Sequence, residues 1–106
     1  MIPVYMINGF LESGKTEFIK YTITQPYFHS RGKTLLIVCE EGEIEYENEL
    51  LKKSKTIMEL IEDEDKFNPE YLKELETKYR PERIVIEYNG MWNSKDSKLP
   101  KNWNVE

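Results

Sequence analysis

Cysteine and histidine are almost missing from this 106-residue chain, which has one of each, Cys39 and His29. A single cysteine excludes an internal disulfide and fits a reducing compartment. His29 has no partner at metal-ligand spacing, so it reads as a surface histidine in a connection. No run approaches the roughly 20 apolar residues of a membrane span. The first residues carry no basic region, and the apolar run they begin breaks at Asn8. The cytoplasm is therefore the expected compartment, with no membrane partner. A basic stripe is lacking too. Net charge is −5, and the basic residues are scattered apart from Lys52, Lys53 and Lys55, which argues against nucleic acid as a partner.

What remains suits one domain. Apolar residues make up 39% and charged residues 33%. A core is possible, although a chain of this length buries a modest fraction of its surface.

The stretch that organises the chain is Gly9-Phe10-Leu11-Glu12-Ser13-Gly14-Lys15-Thr16. It has the form G-x-x-x-x-G-K-[ST], a phosphate-binding loop. The apolar run Ile2 to Ile7 precedes it as a strand, and the segment from Thr16 to Gln25 follows as an amphipathic helix. Phe18, Tyr21 and Gln25 share one face of that helix, with Ile19 and Ile23 beside them. The bare pattern arises by chance in about a few chains per thousand of this length. The strand before it and the helix after it lower that further. Backbone N–H groups in such a loop cradle phosphate oxygens, helped by the positive end of the helix dipole. Gly9 permits the sharp exit from the strand, and Gly14 permits close approach to a phosphate. Lys15 would reach the β- and γ-phosphates, and the Thr16 hydroxyl would sit on Mg²⁺.

Further along, Pro26 ends the helix. Thr34 to Cys39 is a continuous apolar, β-branched run of the kind buried parallel strands show. With the first strand and helix it makes a right-handed βαβ crossover. Next, six of the ten residues from Glu40 to Glu49 are glutamate. They read equally as a solvated loop or as carboxylates at the mouth of a phosphate site, which would be stable there only around a cation. Residues 49–61 fit helical spacing, yet Thr56 to Leu60 could be a short strand; a helical turn followed by a strand is the favoured reading. Glu62 to Asp65 is a charged loop.

Asn68-Pro69-Glu70 starts a helix: Asn68 caps, Pro69 takes the first position and Glu70 complements the dipole. Its buried stripe is Leu72, Leu75 and Tyr79, with Glu74 and Lys78 at ion-pair spacing, and Arg80-Pro81 stops it. Arg83 to Tyr88 is then a strong strand ending in Glu87, the place where phosphate-binding α/β proteins present the acid that holds Mg²⁺ or its waters. Trp103-Asn104-Val105 begins another strand. The expected fold is α/β, a mainly parallel sheet flanked by helices, of the P-loop NTPase type. Such domains need several βα units, so the chain is expected to be a truncated domain of a longer protein.

Three segments of the chain resemble the CobW-type GTPases, a metal-chaperone and metal-insertion branch of the P-loop GTPases. The loop 9–16 is similar to the family's G-F-L-G-A-G-K-T. Cys39-Glu40-Glu41-Gly42-Glu43-Ile44-Glu45 resembles its N-E-F-G-E-V switch segment. Glu87-Tyr88-Asn89-Gly90-Met91 resembles its E-x-x-G-(L/M). The resemblance spans roughly residues 2 to 92. It implies a strand-loop-helix over 2–25, a switch over 39–50 and an acid-bearing strand over 83–88. It implies GTP, or ATP, with Mg²⁺ as cofactors, together with Zn²⁺ or another transition metal. Gly9, Glu12, Ser13, Gly14, Lys15, Thr16 and Gly90 would bind nucleotide. Thr16, Glu40 and Glu87 would bind metal, with Glu43 a weaker ligand, and Lys15 and Glu87 would be catalytic. A metalloprotein target or a dimer partner is implied as well.

The chain departs from the family at several points. The metal-binding C-x-C-C motif and the guanine-specifying N-K-x-D motif are absent, so GTP over ATP rests on resemblance alone. Cys39 replaces an asparagine, as a lone soft ligand or simply a strand-end residue. Glu12 replaces a glycine and adds negative charge near the phosphates. The first functional expectation is a GTPase whose hydrolysis gates the 40–49 switch, slow without a partner because no arginine finger is evident. The alternatives are a non-catalytic phosphate- or nucleotide-binding fragment and a small ATP-dependent kinase. The kinase would need an arginine-rich lid, for which Arg31, Arg80 and Arg83 are too dispersed.

Overall fold

Short β-branched and apolar runs become parallel strands here because helices cover both of their faces. A computed structural model describes residues 2–7, 15–25, 32–39, 46–88 and 99–105, with the side chains of the first helix described from Glu17 onward. The elements are β1 (Ile2–Ile7), α1 (Lys15–Ile23), β2 (Thr34–Val38), α2 (Asn48–Lys53), β3 (Thr56–Leu60), α3 (Pro69–Tyr79), β4 (Arg83–Glu87) and β5 (Trp103–Val105). The ambiguous stretch 49–61 resolves into a helix and then a strand, as favoured. The charged loop contains a short 3-10 turn, Glu64–Lys66.

The described strands form one parallel sheet in the order β3-β2-β4-β1-β5. From β1 the chain crosses over β4 to reach β2, then steps outward to β3. From β3 it returns over β2 to β4, and from β4 it crosses over β1 to β5. Right-handed crossovers running in opposite directions place their helices on opposite faces. The cores follow that rule. On one face Ile19 and Ile23 of α1 and Leu51 of α2 pack on Leu36, Val38 and Val85. On the other, Leu72 and Leu75 of α3 pack with Phe67 on Leu35, Ile37, Ile84 and Ile86. Every residue of β2 and β4 is buried, which is why both strands read as continuous apolar runs.

The α3 start is as the sequence reads: Asn68 Oδ1 accepts from the Tyr71 N–H at 2.8 Å, and Pro69 opens the helix. Arg80 ends it in the left-handed conformation, φ 48°. The expected Glu74–Lys78 pair is not the ion pair of this helix. Lys73 pairs with Glu76 at 3.3 Å, and Lys78 lies over the Tyr79 ring, 5.0 Å from its centroid. Glu76 also accepts from the Trp103 indole at 2.8 Å and from Asn102, which pins β5 beside β1.

The amphipathic face of α1 needs a correction. Ile19 and Ile23 are buried, whereas Phe18 and Tyr21 are 56% and 67% exposed. Lys20 turns toward Glu47, just before α2. Among the described residues no helix is long and apolar enough to cross a membrane.

Candidate functional site

Strand register decides which residues can meet. Ile7 of β1 and Val38 of β2 are the register partners of Glu87, one on each side of it. The described chain leaves the sheet just beyond Ile7, Cys39 and Tyr88, at this one carboxyl edge. The backbone is tied there by the N–H of Tyr88 donating to the Ile7 carbonyl at 2.9 Å and that of Cys39 donating to the Glu87 carbonyl at 2.9 Å. The connections out of β1 and β4 leave in opposite directions, so the gap between these two strands is a topological switch point. Ligands of parallel sheets bind outside the carboxyl ends at such a point.

Alternation along β4 puts Val85 and Glu87 on the α1 face and Ile84, Ile86 and Tyr88 on the α3 face. The Glu87 carboxylate is therefore on the side of the helix that opens at Lys15, and it is 3% exposed. A buried carboxylate is stable only with hydrogen-bond donors or a cation nearby. One donor is the Tyr46 hydroxyl, which donates a hydrogen bond to Glu87 Oε1 at 2.5 Å. Tyr46 is itself buried, and Lys20 of α1 lies over its ring, 5.8 Å from the centroid. Lys20 also pairs with Glu47 at 3.4 Å. The Glu47 carboxyl is held below its ordinary range, first by a backbone hydrogen bond and then by Lys20. Helix α1, Tyr46 and Glu47 of the acidic stretch, and the acid of β4 thus form one connected group.

The expected site residues distribute as follows. Glu87 stands at the carboxyl edge, and Lys15 and Thr16 are in the first turn of α1. Gly9, Glu12, Ser13, Gly14, Glu40, Glu43 and Gly90 lie outside the described residues, as does His29. The last residues of the 39–50 segment are the first turn of α2, which begins at Asn48. Cys39 is buried with Ile37, Ile61 and Phe67 on the α3 face, opposite the face of Glu87. The two side chains therefore do not form a joint ligand set, and the strand-end reading of Cys39 is the one its position supports. Among the described residues no group of three or more His, Cys, Asp or Glu side chains is gathered as a metal cluster. Among the described residues, Glu87 offers a hard carboxylate oxygen at this edge, which suits Mg²⁺ better than a soft transition metal.

Tyr46 was not among the residues singled out from the sequence. Its signal there is an aromatic residue inside a run of glutamates, which gives no hint of a partner 41 residues away.

The family model for the CobW/HypB/UreG nucleotide-binding domain matches residues 3–103. No curated protein and no solved structure matches the chain.

Proposed function

The chain belongs to the CobW/HypB/UreG nucleotide-binding family, and from that premise we propose that it binds a nucleoside triphosphate with Mg²⁺ at the carboxyl edge of its sheet and hydrolyses GTP there. One observation carries this reading. The strand that leads into the G-x-x-x-x-G-K-T loop is hydrogen-bonded directly to the strand that ends in Glu87, and Ile7 and Glu87 are register partners.

In this reading Gly9, Glu12, Ser13 and Gly14 wrap the phosphates with backbone N–H groups, and Lys15 neutralises the β- and γ-oxygens. The Thr16 hydroxyl, Glu87 and Glu40 would hold Mg²⁺ or its waters, and Mg²⁺ when bound supplies positive charge against the phosphate oxygens. Gly90 donates its N–H to the γ-phosphate and loses that contact on hydrolysis. The protein contributes positioning and charge neutralisation to the attack of water, and Glu87 orients that water. Turnover is slow in isolation and is raised by a partner. Delivery of a metal cofactor to a metalloprotein target, in the cytoplasm, is the physiological role we assign, with the nucleotide step as this chain's contribution.

The test is titration of fluorescent GTP and ATP analogues with Mg²⁺, in the natural chain and in Lys15→Ala. The expected result is saturable GTP binding, weaker ATP binding and a loss of about a hundredfold in affinity in the variant, from a lost charge-assisted phosphate contact. Equal weak binding of both nucleotides would indicate a phosphate-holding domain without base selection. Absence of binding by the folded chain would overturn the proposal.

A further inference from the structure

We propose that Tyr46 is a positioning residue for Glu87, the carboxylate that would face Mg²⁺. The inference rests on the nucleotide-binding reading above and adds a residue that this reading does not contain.

Glu87 is 3% exposed and is the register partner of Val38, so its carboxylate needs donors from protein groups. The Tyr46 hydroxyl supplies one to Oε1. A carboxylate accepts at both oxygens, and a donor fixed on Oε1 restricts the rotamer of the side chain. A hydrogen bond to an ionised group is among the stronger ones, and stronger still away from water.

Tyr46 is in turn held from two sides. Its ring packs in the α1-face core, and Lys20 lies over it while also binding Glu47. Its position therefore depends on α1, the helix that carries Lys15 and Thr16 in its first turn. Through Tyr46 the helix after the phosphate loop and the acid of β4 are linked.

Tyr46→Phe tests this, because the ring and its contact with Lys20 are kept and only the hydroxyl is lost. The readout is the ratio of affinities for a fluorescent GTP analogue measured with Mg²⁺ and with chelator, a ratio that a merely structural residue does not move. The expected result is a fall in that ratio of about fivefold or more, on the strength of a hydrogen bond to a charged group. A companion variant guards against misfolding: in Glu87→Gln, adding Tyr46→Phe should cause no further loss, because the two residues act as a unit. An unchanged ratio in Tyr46→Phe, or additive losses in the double variant, would overturn the inference while leaving nucleotide binding in place. A natural chain that binds no nucleotide would overturn the reading beneath it, and the inference with it.

Discussion

Strand β4 carries a buried charge at each end, and the two are held in different ways. At the amino edge the Arg83 guanidinium is 8% exposed and donates to Thr34 Oγ1 at 2.9 Å and to the Gly32 carbonyl at 3.4 Å. Thr34 is its register partner in β2, and Gly32 is in the turn just before that strand. At the carboxyl edge Glu87 accepts from Tyr46, which lies in the acidic stretch 40–49 just before α2. Arg83 thus donates to the sheet and its adjoining turn, whereas Glu87 accepts from a residue outside the sheet, at the carboxyl edge where ligands of parallel sheets bind. We assign the amino-edge charge to the fold and the carboxyl-edge charge to the proposed site.

The comparison can be broken at the amino edge. Arg83→Leu removes the charge but strands the Thr34 hydroxyl and the Gly32 carbonyl, and it should destabilise the chain by about 2–3 kcal/mol. Denaturant unfolding measures that loss, and nucleotide affinity per folded molecule should stay unchanged. A fall in affinity with stability intact would reverse the roles given to the two ends.

A smaller effect is expected at Gly32. Its φ is +97°, and a Cβ there would meet Glu82 Cγ at 2.3 Å. Glu82 is exposed and its side chain can swing away, so the cost of Gly32→Ala comes mainly from the left-handed backbone, about 1–2 kcal/mol. Thermal unfolding should show that loss, again without a change in nucleotide binding.

The smallest effect sharpens the comparison between two acids. Glu76, beside the start of β5, is bound by donors from ordered elements. Burial works to raise its carboxyl, but hydrogen bonds from Trp103, Asn102 and Lys73 outweigh it and hold the group below its ordinary value of 4.5. The folded chain then binds this proton less readily than the unfolded chain. Its contribution to stability is complete above pH 4.5 and is lost as pH falls through the lower folded value. Stability measured from pH 6 down to pH 3 should decline less steeply in Glu76→Gln than in the natural chain. Identical slopes would remove Glu76 from the set of acids that shape acid unfolding.

The sequence made the frame legible where local chemistry and packing agree. Asn68-Pro69-Glu70 caps and opens α3 as expected, and the apolar runs of β2 and β4 are buried along their whole length. Glu87 could be placed at the carboxyl edge from sequence because it closes a strong apolar strand run. The face of α1 was harder to read, because Phe18 and Tyr21 present large rings next to Ile19 and Ile23. Tertiary placement decides between them: the isoleucines meet Leu36 and Val85 of the sheet. Tyr46 was not legible, since its partner is set by how the chain returns to the sheet after the acidic segment and not by any spacing in that segment.

The most direct test of the central claim is amide hydrogen exchange of the intact chain with and without GTP and Mg²⁺. The account predicts protection confined to the carboxyl edge and what leaves it, residues 8–20, 39–47 and 86–91. Exchange at the amino edge, residues 32–34 and 81–84, should be unchanged. Protection centred on the amino edge, or none at the carboxyl edge while nucleotide is bound, would contradict it.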